Sequence, residues 1–343
     1  MRTPVLYILM SLCFFFVKKG KAQDIHFSQM FETPLLRNPA LAGIFSGDIR
    51  LQSVYRSQYN TVANAYSTVS TNFEYKKPLG KTDDFITMGG AVLYDRAGTV
   101  DLTSIHLLPT LNYHKSISDQ RNMYLSLGAM GGIVQRRIDR SKMTTNSQFN
   151  GTNYDPSAGT GETFSKASYA YLDGSVGLSF NSQISADVEN NMYLGIAYHH
   201  FNKAKKVNFY SAEKLEMTPK WVGSAGIRMN TTEYNFFTIE ADYTKQGAYH
   251  EILAGVLFST KLETPDDPRY ILHGGAYMRL NDAIIPVVKI DMRSLSLAFS
   301  YDVNISTLKT ITYGRGGFEM SIAYKKFLDR DNSVKNAVRC PTF

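Results

Sequence analysis

Cysteine and tryptophan are nearly absent, and so is any long apolar run. The chain has two cysteines, Cys13 and Cys340, and one tryptophan, Trp221. Cys13 falls in a leader-like block, so the processed chain keeps a single cysteine and an intrachain disulfide is excluded. The longest apolar run, Val5–Val17, is shorter than the roughly 20 residues of a membrane-crossing helix, and mean hydropathy is only -0.22. The helical period is missing too: no stretch repeats its apolar residues at the spacing of an amphipathic helix.

The familiar chemistries lack their residues as well. His106, His114, His199 and His273 share the polar side of their segments, yet none has the spacing of a zinc site or a cysteine nearby. Pro265-Asp266-Asp267-Pro268 lacks the glycine and the distal glutamate of a calcium loop. Gly314-Arg315-Gly316-Gly317 lacks the lysine and the following helix of a phosphate loop. No Gly-x-Ser-x-Gly occurs, so a serine hydrolase would need a Ser–His pair that only geometry can reveal. The expectation is a protein with no catalytic residue, no cofactor and no metal.

What is present begins with an export signal. Arg2, the apolar run and Ala22 follow the order of a signal peptide, with Gly20 and Ala22 at the −3 and −1 positions of cleavage after residue 22. Residues 1–22 carry four basic side chains and no acid, so their removal takes the net charge from +7 to +3. That leaves no nucleic-acid footprint.

From Asp48 onward the pattern is strand, turn, strand. Fourteen segments qualify: Asp48–Gln58, Asn64–Lys76, Asp84–Asp95, Leu102–Lys115, Arg121–Arg136, Tyr169–Ile184, Asn190–Lys205, Pro219–Asn230, Tyr234–Lys245, Ala248–Leu262, Arg269–Leu280, Asp282–Met292, Ser294–Asn304 and Gly316–Phe327. The even number and a length of about ten residues suit an outer-membrane barrel. In one late segment Leu295, Leu297, Phe299, Tyr301 and Val303 oppose Ser296, Ala298, Ser300 and Asp302. The polar face is small rather than charged, unlike the solvated face of a soluble sandwich. Tyr75, Tyr94, Tyr113, Trp221, Tyr243 and Tyr301 sit near segment ends on the apolar face, as an interfacial girdle would. The predicted fold is all-β: a transmembrane antiparallel up-and-down β-barrel of about 14 strands.

Loop lengths set an expected orientation. Arg137–Ser168, Lys206–Thr218 and Ile305–Arg315 are the long connections and follow odd-numbered strands. Long loops face outside, so both chain ends are expected in the periplasm. The lumen parity carries Arg50, Arg56, Arg228, Arg279 and Lys289 with Glu74, Asp173, Glu240, Asp242, Glu251 and Asp291. Lone charges in a narrow lumen are costly, so pairing into a structural network is expected in preference to a permeation path.

One stretch neither alternates nor forms a leader. Gln23–Gly43 holds Pro34 and Pro39, which cannot join a ladder, with Ile25, Phe27, Met30, Phe31, Leu35, Leu36 and Leu41. That is too apolar for a solvated arm and reads as a plug or collar. The polar residues Asp24, His26 and Gln29 could meet the lumen charges or a partner.

This stretch also carries a resemblance. Asp24-x-His26-Phe27-Ser28-Gln29 followed by Pro34-Leu35-x-x-Asn38-Pro39-Ala40-x-x-Gly43 resembles the start of mature PorP/SprF-type proteins. Tyr55-Arg56-x-Gln58 resembles that family's Tyr-Arg-x-Gln element, and the ending Cys340-Pro341-Thr342-Phe343 resembles its Cys-Pro-x-Phe ending. The resemblance implies an outer-membrane component of the type IX secretion system. It implies an anchor or adaptor in export or surface attachment of cell-surface proteins such as gliding adhesins. Implied partners are outer-membrane lipids, periplasmic lipoproteins of the secretion and gliding complex, and a secreted adhesin. The expected organisation is signal peptide 1–22, plug 23–47, barrel 48–327 and periplasmic tail 328–343. A porin-like small-molecule transporter is the alternative that the small lumen residues allow.

Overall fold

In the structure, a computed structural model, residues 24–58, 66–80, 83–118, 120–207, 209, 214–307 and 309–328 are described. The leader and Cys340, Pro341 and Phe343 lie outside the described residues. The strands are β1 (Ile49–Gln58), β2 (Tyr66–Pro78), β3 (Phe85–Ala97), β4 (Leu102–Ser118), β5 (Met123–Arg137), β6 (Ser168–Gln183), β7 (Asn191–His199), β8 (Lys205–Val207), β9 (Lys214–Glu216), β10 (Lys220–Asn230), β11 (Asn235–Gln246), β12 (Tyr249–Leu262), β13 (Tyr270–Arg279), β14 (Ala283–Met292), β15 (Leu295–Asn304) and β16 (Arg315–Lys326).

Fourteen of them close into one antiparallel up-and-down barrel, with β1 paired to both β2 and β16. The remaining pair, β8 and β9, forms a separate hairpin in the connection after β7. The alternation had carried the seventh segment on to Lys205. The strand stops at His199 because His200 and Lys203 adopt left-handed backbone, with φ of 59 and 44, and such residues end a ladder.

The two faces sort as the period-2 pattern requires. On the outer face Leu172 and Val288 are each 66% exposed, and Leu107, Leu127 and Phe258 are exposed beside them. A contiguous apolar skin of this kind is covered by lipid in a barrel. On the inner face Ser70, Thr87, Ser126, Ala298 and Ser321 are buried. Two wall prolines interrupt single seams. The β4–β5 pairing skips from Leu107–Ile133 to Thr110–Met130 around Pro109, and the β14–β15 pairing skips from Ile284–Val303 to Val287–Ser300 around Pro286.

All three long connections leave from one end of the barrel, since each follows a strand running the same way as β1. Every connection at the other end is short, and Lys326 lies there. The core of the molecule lies inside the wall, where residues 24–47 run through the lumen. Leu35 and Ala42 pack on Ala91, Leu108 and Met130. Met30 packs on Leu253, Leu257, Tyr277 and Ile285.

A plug threaded through the lumen as candidate functional site

The N-terminal segment builds its own compact shape first. It consists of three short turns, Met30–Glu32, Pro34–Arg37 and Pro39–Leu41. Pro34 and Pro39 each open a turn, where a missing N–H costs nothing. Asn38 is extended and caps the third turn: its side-chain oxygen accepts from the Ala40 N–H at 2.8 Å. Gly43 ends the elbow at a φ of 85, which an L side chain rarely adopts.

The wall then satisfies the plug's polar groups from one end to the other. At the long-loop end, Lys220 Nζ lies 2.6 Å from the Asp24 carboxylate and His200 Nε2 lies 3.3 Å from it. Deeper in, the backbone N–H groups of Ser28 and Gln29 both donate to Glu319, each at 2.7 Å. Arg56 donates to Ser28 Oγ at 2.6 Å and pairs with Asp302 at 3.0 Å and with Glu319. Arg279 reaches Asp302 at 3.3 Å. Gln29 completes the cluster by donating to Ser300 Oγ at 3.0 Å.

The middle of the plug is held by a bidentate pair. Arg37 Nε and Nη2 donate to the two oxygens of Asp242, each at 2.6 Å. Arg37 also donates to the Tyr193 hydroxyl at 2.6 Å, and that hydroxyl donates to Glu240 at 2.7 Å. Glu32 pairs with Lys289 at 2.8 Å and accepts from Gln52. At the elbow, Asn112 donates to the carbonyls of Ala40 and Ala42 at 2.8 and 2.9 Å. Beyond it the Gly43 N–H donates to Glu74, which pairs with Arg50 at 2.6 Å. Phe45 lies between the cations of Arg50 and Lys76, 4.5 and 4.4 Å from its ring centroid.

Most residues singled out in the plug are therefore brought against the wall. Phe27, Pro34, Leu35, Asn38, Pro39 and Ala40 are buried there. Arg56 faces inward, and Gln58 lines the lumen mouth above it. Tyr55 does not join them: it is 37% exposed on the lipid face, because adjacent strand residues point to opposite sides. Sequence reasoning placed Asp302 on the polar face of its strand without giving it a role, and gave none to Glu319. It missed Arg37, Glu32 and Lys220 as network members, although lumen parity would have found Lys220.

The threading puts the first and last described residues, Asp24 and Leu328, at opposite ends of the barrel. Asp24 lies at the long-loop end while Gly47 and Lys326 lie at the other, where the Asp48 N–H donates to the Lys326 carbonyl at 2.8 Å. A segment bonded along the whole lumen must begin at the end opposite to the one where β1 starts.

Charge at the long-loop end depends on two groups outside the strands. Burial opposes the charge of Asp24, but Lys220 and His200 hold its carboxyl well below the usual range. Burial likewise opposes the charge of His200, yet its contacts with Asp173 at 2.8 Å and with Asp24 raise its pKa above 6.5. His26 is different: burial, Arg279 and Arg56 push its pKa well down, so the ring is neutral. A raised histidine pKa stabilises fully below the unfolded value and is lost as pH climbs through the folded one. Stability of the native barrel relative to His200→Asn is therefore expected to be largest in mild acid, below the ordinary histidine pKa, and to shrink as pH climbs into the alkaline range. Unfolding midpoints of both proteins across that range check this. Asp24 contributes oppositely, and its share is lost only in acid below the ordinary carboxylate range.

Around Asp24 the long-loop end opens into a vestibule of about 590 Å³. Asp95, Glu251, Asp282 and Asp302 line it with Asp24, and Arg279 is the guanidinium among the lining residues.

Comparison with known proteins bears on this arrangement. No curated protein matches the sequence. Among solved structures the chain is similar to CdiB from Acinetobacter baumannii, with 9% identity and a TM-score of 0.44 over 81% of this chain and 60% of that one. The chain thus spans less than two thirds of the length of CdiB. It is similar to the Pseudomonas putida toluene transporter TodX, with 10% identity and a TM-score of 0.48 over 87% of this chain and 95% of that one. It is also similar to a Pseudomonas aeruginosa FadL homologue, with 10% identity and a TM-score of 0.48 over 86% and 94% of the two chains. A family model, described as type IX secretion system membrane protein PorP/SprF, matches residues 19–324, which takes in the described plug and nearly all of the barrel and stops short of the tail. The chain belongs to the PorP/SprF family of type IX secretion system membrane proteins.

Proposed function

We propose that this barrel is a sealed anchor or adaptor of the type IX secretion system in the outer membrane. It would serve export or surface attachment of cell-surface proteins such as gliding adhesins, with the long loops outside and the tail from Leu328 in the periplasm. One observation supports this above the others: the lumen is occupied along its length by residues 24–47, which are bonded to the wall at both ends and in the middle. A fourteen-stranded barrel without such a filling leaves a channel. A filled one offers two end surfaces and a rigid body, which suits docking better than transport. The reading is of a protein that binds and does not catalyse.

Two measurements test it. The native protein in planar bilayers is expected to show no steady conductance. Cross-linking in the native outer membrane, with a tag in the loop 138–167, is expected to recover lipoproteins of the secretion complex or one surface adhesin. Recovery of the barrel alone, together with steady conductance of the native protein, would favour the transporter reading.

A further inference from the structure

A second cavity lies at the short-turn end, apart from the vestibule. Its volume is about 220 Å³, room for roughly seven waters. The plug residues Phe31 and Ser46 close one side. Phe31, Phe236, Leu257 and Ile271 give it an apolar wall, while Arg228, Lys289, Lys325 and His273 bring cations and a ring nitrogen to the other.

The lining carries four cations, Arg228, Lys289, Arg293 and Lys325, against two carboxylates, Glu240 and Asp291. Lys289 is matched by Glu32 at 2.8 Å and by Asp291 at 3.7 Å. Arg228 pairs with Glu189 at 3.2 Å through one nitrogen, and its guanidinium carbon lies 3.9 Å from the Phe236 ring centroid. Its Nε has no hydrogen-bond partner. His273 meets Ser259 Oγ at 2.7 Å through Nδ1, and its Nε2 faces the Asp291 carboxylate at 3.3 Å. Among the described residues Lys325 Nζ has neither a hydrogen bond nor an ion pair. Arg228 Nε is thus a buried donor without a hydrogen-bond partner and the half-buried Lys325 ammonium a second group without one, beside Asp291 Oδ1, a buried acceptor without one; unpartnered polar groups at a cavity wall are costly.

We propose that this cavity binds the carboxylate of a small amphiphilic acid, entering from the short-turn face. The carboxylate oxygens accept from Arg228 and Lys325. The apolar body lies on Phe31 and Phe236. A bare inorganic anion would meet the donors and leave the aromatic wall wet, whereas an acid with one large apolar group uses both. A polypeptide end and a free aromatic acid share this chemistry. The inference stands whether or not the plug seals the lumen.

The test uses the full chain in detergent, titrated calorimetrically with N-acetylphenylalanine, its amide, inorganic phosphate and a hexapeptide ending in phenylalanine. Saturable binding of the acid is expected, with the amide and phosphate at least roughly tenfold weaker. Lys325→Met and Arg228→Met are each expected to weaken the acid about tenfold. Tighter binding of the hexapeptide than of the acetylated acid assigns the site to a polypeptide end, and the reverse assigns it to a free acid. Lys325→Met supplies a readout that a purely structural lysine would not give: an unpartnered ammonium contributes nothing to the empty barrel, so the unfolding midpoint should not fall. Absence of saturable binding, equal binding of acid and amide, equal binding of phosphate, or unchanged affinity in a folded Lys325→Met protein would each overturn the proposal.

Discussion

Glu319→Ala will destabilise the barrel more than any single change on its lipid face, by about 3–5 kcal/mol. Glu319 is fully buried, accepts from the backbone N–H groups of Ser28 and Gln29, and pairs with Arg56. Removing it leaves a buried guanidinium short of one partner and two backbone donors with none. The donors cost more than the lost bonds were worth, because water cannot reach them without moving the plug. Asp302 still accepts from Arg56 and Arg279, so collapse of the whole cluster is not expected. Urea unfolding in detergent micelles, followed by the gel shift between folded and unfolded barrel, gives the number. A loss below about 1 kcal/mol would mean that the cluster is solvated and that the plug is not held there. Leu172→Ala, on the exposed outer face, serves as the comparison and should change stability little.

The architecture was readable because a barrel strand has period 2 and lipid enforces it. Leu295, Leu297 and Phe299 against Ser296, Ala298 and Ser300 gave both faces of one strand with no further information. Strand ends were less readable, since they depend on backbone conformation: the seventh segment kept alternating to Lys205 while His200 had already turned away. The plug was readable as a composition, with two prolines and seven large apolar residues outside any repeat. Its contacts were not. Whether Asp24 meets Lys220 or a partner depends on which lumen charge the folded segment reaches, and the two residues stand far apart in sequence. Glu319 illustrates the same limit. On a strand it is one more residue of lumen parity, and only the path of the plug turns it into the acceptor for two consecutive N–H groups. The end of the barrel at which Asp24 emerges was hidden for a related reason, because loop lengths report on strands and say nothing about a segment threaded between them.

The second large effect comes from crowding the plug out. Gly128 and Gly177 face the lumen where the Asn38–Ala40 elbow crosses β5 and β6, and a side chain at either position would overlap it. At Gly128 the obstructing atoms belong to the backbone of Pro39 and Ala40, and at Gly177 they belong to the Asn38 side chain. Backbone atoms cannot rotate away, so Gly128→Leu is the more severe change. Overpacking of this kind typically costs about 1–3 kcal/mol per site, and the two sites share one elbow, so their costs will not simply add. The wall is pinned around Gly128: Thr110–Ser116 pair with Met130–Tyr124 without a break on one side, and β6 pairs in continuous register on the other. The strain therefore falls on the plug, whose elbow is held by the donors of Asn112 and Ser179 rather than by ion pairs. The double variant Gly128→Leu, Gly177→Leu is expected to retain the folded gel band and to show steady conductance in planar bilayers where the native barrel shows none. Gly274→Leu, at a wall glycine with open space around its α-carbon, should stay silent. Conductance in the double variant would identify the elbow as the element that closes the lumen. A folded but silent double variant would place the seal elsewhere, and the Glu319 cluster would be the next position to open.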